Sequence, residues 1–131
     1  MDTSVIDITT TVRGTDKVPR IPFGEIAQTI LGKNFELSLV ICGDTLARRM
    51  NREHRKKTYA PNILSFPLSR REGEIFLNVR CAEREARRYH MPLRERLAYL
   101  FVHGCFHLKG LDHGDRMEQE EQRVMKDLKL G

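Results

Sequence analysis

The segment His103-Gly104-Cys105-Phe106-His107-Leu108-Lys109-Gly110-Leu111-Asp112-His113 constrains this chain more than any other stretch. His103 and His107 stand four apart, so on a helix they share one face, one turn from each other. Gly110 follows as a helix stop that permits a left-handed turn. Past that turn, His113 can swing back towards the first two. Three of the chain's five histidines therefore converge within one short segment. Three neutral imidazoles with one position left for water form the layout of a catalytic zinc centre. Residues 97–106 carry almost no charge. A helix that is apolar nearly all round sits in the middle of a protein, so the metal site is expected on a central helix and the turn after it.

The rest of the chain supplies a frame for that helix. Val5, Ile6 and Ile8, with Thr9 to Thr11, read as a first strand. A Gly/Asp/Pro loop is expected over residues 14–19. Phe23, Ile26, Ala27, Ile30 and Leu31 fall on one face of a helix, with Pro22 at its start and Gly32 at its stop. Phe35, Leu37, Leu39 and Ile41 alternate with Glu36, Ser38 and Val40 as a second strand. Asp44 is expected to cap a short helix carrying Leu46, Ala47 and Met50. Residues 63–66 read as a third strand closed by Pro67, and residues 75–79 as a fourth after the turn residues Glu72 and Gly73. A helix over 79–89, the central helix, and a last one from Asp115 complete the order. Glu118 offers that last helix a capping box, and Met117, Val124, Met125 and Leu128 its inner stripe. The pattern predicts an α/β (α+β) fold: a single mixed sheet of about four strands packed with about five helices.

Length and composition narrow the function classes. At 131 residues, one domain spanning 1–131 is the expectation. The apolar fraction of 40% supports one real core and excludes a disordered tail. Lys plus Arg number 23 against 18 Asp plus Glu, a formal charge of +5. Such a balance suits an anionic partner, nucleic acid first, or simply a modestly basic enzyme. Cys42, Cys81 and Cys105 are odd in number and widely spaced, which fits a reducing cytosol. The N-terminus has no signal-peptide pattern and no run of about 18 apolar residues occurs, so a cytoplasmic protein with no membrane span is expected.

The spacing HxxxHxxGxxH also occurs in metzincin proteases, whose HExxH glutamate is the general base. Here that position is Gly104, so a peptidase mechanism lacks its base. Zinc alone can lower the pKa of bound water to about 7. Asp112, next to the third histidine, reads as a turn residue, as a partner that supports the metal ligand, or as a catalytic proton acceptor. Residues 48–57 hold six Lys/Arg and one Glu. They read as a solvated helix face or as a phosphate-binding block, in which arginine forks match phosphate oxygens. Ser65 lies in no nucleophile-elbow pattern and reads as a strand residue. Cys105 reads as core.

Together the histidine segment and the block Asn51, Arg55, Leu64, Ser65, Phe66 and Pro67 resemble the YbeY family of bacterial rRNA maturation factors. That family carries H-G-x-x-H-L-x-G-x-D-H, matched at every fixed letter from His103 to His113. The resemblance implies a single-domain α/β fold, one Zn2+ on His103, His107 and His113, and single-strand-specific endoribonuclease activity. It further implies maturation of the 16S rRNA 3′ end, ribosome quality control, and Arg55 binding and polarising RNA phosphate. Small-subunit rRNA is the implied partner, with ribosomal proteins or a ribosome-assembly GTPase beside it. Four positions depart from the family pattern: His54 stands for Tyr, Pro61-Asn62 for Thr-Asp, and the Glu74 of Gly73-Glu74 for Asp.

Two other readings stay open at this level. One is a non-catalytic ribosome-assembly factor with a structural zinc, completed by a ligand such as His54, His90, Cys42 or Cys81. The other is a metallohydrolase acting on a peptide or small molecule. The residues do not choose between attack by metal hydroxide and attack by the RNA's own 2′-OH.

Overall fold

The computed structural model describes residues 5–13 and 18–131. Among the described residues there are four strands and five helices. The strands are β1 (Val5–Thr10), β2 (Glu36–Cys42), β3 (Ile63–Ser69) and β4 (Glu72–Asn78). The helices are α1 (Phe23–Leu31), α2 (Asp44–Arg55), α3 (Val79–Arg88), α4 (Leu93–Lys109) and α5 (Asp115–Asp127). Element order and class are those the hydrophobic pattern predicts. Residues 14–17 of the expected first loop lie outside the described residues.

The sheet order is β1-β2-β4-β3. β1, β2 and β4 run parallel, and β3 pairs antiparallel with β4, leaving β3 at an edge. Alternation along the strands divides the core in two. Leu37, Leu39, Ile41, Ile75 and Leu77 join the larger cluster, which includes Leu97, Ala98, Phe101 and Cys105 of α4. Phe76 and Leu64 face the other way, against Ala47 of α2. α4 thus has the sheet on one side and packs against α1, α3 and α5 on others. This burial explains why its centre needs no charge. Among the described residues, no helix is long and apolar enough to cross a membrane.

Local details differ from the pattern reading. β3 continues through Pro67 to Ser69, with an irregular register between Pro67 and Ser69. An edge strand tolerates the missing N–H of proline, so Pro67 does not close it. Glu72 and Gly73 belong to β4, and the turn falls on Arg70 and Arg71. Asp44 is the first residue of α2, not its cap. Its carboxylate instead accepts hydrogen bonds from Asn78 Nδ2 at 2.9 Å and from Arg84. α5 has no side-chain cap, so Asp115 and Glu118 complement the helix dipole in its first turn.

Candidate metal centre

The last two turns of α4 carry His103 and His107. The helix ends in a paired hydrogen-bond motif: Gly110 N–H donates to His107 O at 3.0 Å, and Leu111 N–H to Phe106 O at 3.1 Å. Gly110 has φ +100°, a conformation that favours glycine. The chain therefore reverses direction and brings His113 back over the helix. The ring centroids of His103, His107 and His113 lie 4.6 to 5.0 Å apart. Their candidate ligand atoms all fall within 4.8 Å of one another. The Nε2 atoms of His103 and His107 are 3.1 Å apart. Two nitrogens on a tetrahedral zinc would stand about 3.3 Å apart, given Zn–N bonds near 2.0–2.1 Å.

The surroundings suit a cation. His103 Nδ1 hydrogen-bonds the carboxylate of Glu121, a residue of α5 that is only 3% exposed. Bound this way, His103 turns its Nε2 towards the other two rings. Tyr99 donates its hydroxyl to the other oxygen of Glu121 at 3.5 Å. Burial, and then the neighbouring His103 and His113, push the His107 pKa below the ordinary imidazole range. A neutral ring is the ligating form of histidine. Donor type, spacing and the carboxylate behind His103 all fit a bound metal ion.

Gly104 lies where α4 crosses β3. A Cβ there would come 2.7 Å from Ile63 Cδ1 and 2.9 Å from Ser65 Oγ. Ser65 Oγ itself donates to Gly104 O at 3.1 Å. The helix and the strand touch through this glycine, so a glutamate base in the protease position has no room.

β3, α3 and the loop after α2 enclose a cleft of about 800 Å³ beside the histidines. His103, His107, His113 and Arg55 all line it. Two fully buried asparagines pin its loop. Asn51 Nδ2 donates to Tyr59 O at 3.0 Å, and Asn78 Nδ2 donates to Pro61 O at 3.1 Å. On another wall, Asn62 Nδ2 donates to the Glu85 carboxylate at 3.2 Å, and Glu85 pairs with Arg96 at 3.0 Å.

The structure therefore brings together four of the five residues singled out from sequence. Asp112 is exposed and does not line the cleft. Its charge reaches His107, where it opposes the lowering of that pKa. Cys105 is fully buried in the core, which raises its thiol pKa. Most of the basic block is the exposed surface of α2, and its C-terminal residue Arg55 reaches the cleft. Sequence reasoning missed Glu121, Glu85 and Asn62 as parts of the site. Glu121 had left a signal, a carboxylate in the apolar stripe of α5 between Met117 and Met125. Asn62 was marked only as a departure from the family pattern, and Glu85 left no signal, because the chain brings the two together across 23 residues.

Comparison with known proteins agrees with this geometry. A family model described as endoribonuclease YbeY matches residues 15–130. The endoribonuclease YbeY of Aromatoleum aromaticum is 38% identical over 101 residues, covering 71% of this chain and 66% of that protein. That of Mycoplasma mycoides subsp. mycoides SC is 33% identical over 106 residues, covering 72% of this chain and 63% of that protein. The chain thus spans slightly under two thirds of the length of these two relatives. The solution structure of a Thermotoga maritima protein superposes with a TM-score of 0.67 at 19% identity, covering 95% of this chain and 92% of the other, and so shares the fold. With the signature segment folded into a three-histidine cluster and the family match running through almost its whole length, the chain belongs to the YbeY family.

Proposed function

We propose that this chain is a metal-dependent endoribonuclease specific for single-stranded RNA. The observation that carries the reading is one cleft lined both by the three-histidine cluster and by Arg55. His103, His107 and His113 would hold one Zn2+. Bound there, the ion would polarise a phosphoryl oxygen and bring the pKa of a bound water down to about 7. Among the described residues, no fourth His, Cys, Asp or Glu joins the cluster. Three ligands with an open position favour a catalytic centre over a structural one.

The chain's own side chains then have separable tasks. Glu121 fixes the orientation of His103, and burial keeps His107 in its neutral, ligating form. Arg55 meets the scissile phosphate and stabilises the negative charge that grows on it. Asp112, exposed beside His113 and outside the cleft lining, would accept a proton only through an intervening water. Residues 1–131 act as one domain. That the relatives are endoribonucleases supports RNA as substrate. The finer assignments are the 3′ end of small-subunit rRNA, ribosomal proteins or an assembly GTPase as partners, and the cytoplasm as location.

The test is cleavage of a defined single-stranded rRNA 3′-end substrate by wild type, Arg55→Glu and His107→Ala, with and without chelator. Cleavage should vanish on chelation and in His107→Ala, and fall steeply in Arg55→Glu. Cleavage that survives both chelation and His107→Ala overturns the reading.

A further inference from the structure

We infer that Tyr59 is a stacking platform for an unpaired base of the strand whose phosphate meets Arg55; this rests on the RNA reading above. Among the described residues, four large apolar or aromatic side chains are notably exposed: Ile8, Tyr59, Leu68 and Tyr89. Of these, Tyr59 lines the cleft that holds the histidines. Tyr89 does not line it, and its ring already has cationic partners in the guanidinium groups of Arg88 and Arg96 at 5.9 and 5.1 Å. Tyr59 is 54% exposed, and among the described residues its ring has no aromatic or cationic partner. An open aromatic face at the wall of a cleft offers a base what RNA-binding proteins use for splayed nucleotides.

The backbone beneath the ring is held in place. Lys56 adopts the left-handed conformation that ends α2 and turns the chain into the cleft wall. The buried amide of Asn51 then holds Tyr59 O, and that of Asn78 holds Pro61 O two residues on. A platform with a fixed backbone and few rotatable bonds loses little conformational entropy when a ligand arrives. Arg55 and Tyr59 stand four residues apart on the same cleft. Cation beside aromatic matches a polymer in which phosphate alternates with base. A phosphate-only ligand would use Arg55 and the histidines but not Tyr59, so the base is the group this residue selects.

The sequence contains no tryptophan, so Tyr59→Trp places a single reporter in the cleft. The full chain would be titrated with a labelled unstructured RNA oligomer and with an abasic oligomer of equal length. Label anisotropy reads binding and tryptophan emission reads stacking. RNA should quench the tryptophan and the abasic oligomer should not. Tyr59→Ala should bind RNA roughly 5- to 150-fold more weakly, with abasic binding unchanged, and Tyr59→Phe should retain wild-type affinity. If RNA binds but the emission does not move, or if Tyr59→Ala weakens both oligomers alike, the stacking role is overturned while the RNA reading stands. If wild type binds no RNA by anisotropy, the RNA reading fails and this inference with it.

Discussion

The carboxylate of Glu121 accepts a hydrogen bond from His103 Nδ1 at 2.5 Å, while Nε2 of the same ring lies 3.1 Å from Nε2 of His107. One residue of α5 thereby aims a candidate ligand carried by α4. Removing such a partner ordinarily costs 10- to 100-fold in metal affinity. Glu121→Ala is therefore expected to bind zinc about 10- to 100-fold more weakly, measured by competition with a chromophoric chelator. Glu121→Gln keeps an acceptor and should lose less. Equal zinc affinity in wild type and both variants would show that His103 needs no such support.

Gly104 sets a second expectation. Alanine in a helix interior ordinarily gains about 1 kcal/mol over glycine. Here its Cβ would displace Ser65 from its hydrogen bond to Gly104 O and press on Ile63. Overpacking costs about 1–3 kcal/mol, so the clash should win narrowly for Gly104→Ala. Gly104→Glu must lift β3 off α4 and should cost more than about 2 kcal/mol. Denaturant unfolding reads both. A stable Gly104→Glu protein with an intact cleft would contradict the packing described.

Asn51 is expected to matter through the loop it holds. It is fully buried, and Tyr59 O depends on its amide. Asn51→Leu leaves that carbonyl without its partner, which should cost about 1–3 kcal/mol in chemical unfolding. Protease nicking in residues 56–61 should rise in the same variant. An unchanged unfolding midpoint and an uncut loop would count against the pin.

Acid should expose the pair on the other side of the cleft loop. The Arg84 guanidinium, with help from Asn78, lowers the Asp44 carboxyl from its ordinary 3.8 to about 2. Its folded pKa thus lies below its unfolded one. The stability it adds is present above pH ~4 and is lost as pH falls towards ~2. Both side chains are a third to a half exposed, so solvent screening keeps the effect at about 1 kcal/mol or less. Asp44→Asn should lose that stability at pH 7, lie close to wild type at pH 2, and so flatten the profile between pH 4 and 2. A wild-type slope in that variant would remove Asp44 from the account.

Arg55 is predicted to act as a phosphate contact without base preference. Arg55→Ala should weaken binding of all single-stranded sequences alike and reduce the salt dependence of log K by about one ion. Binding isotherms at several salt concentrations test this. An unchanged salt slope means that Arg55 does not touch phosphate.

The histidine cluster was legible because its geometry is local. The four-residue step, the glycine stop and the short return from Gly110 to His113 are properties of a few consecutive residues. The sheet and helices were legible because strand alternation and helical periodicity each leave a mark. Caps were read less well: Asp44 and Glu118 had the right residue types, but Gly43 and Gly114 occupy the cap positions. The third strand outran its proline because nothing local says that β3 is an edge.

What the sequence determined by itself was the class of fold, the central helix, the two histidines on one face of it and the third just past its glycine stop. Tertiary structure decided what stands behind and opposite them. Glu121 reaches His103 across 18 residues, Ser65 meets Gly104 across 39, and Asn62 meets Glu85 across 23. Such pairings follow from how α4, α5 and β3 pack, and side-chain packing leaves no period in the chain. Periodicity is a local property, whereas the company a ligand keeps is set by neighbours that the sequence holds far apart.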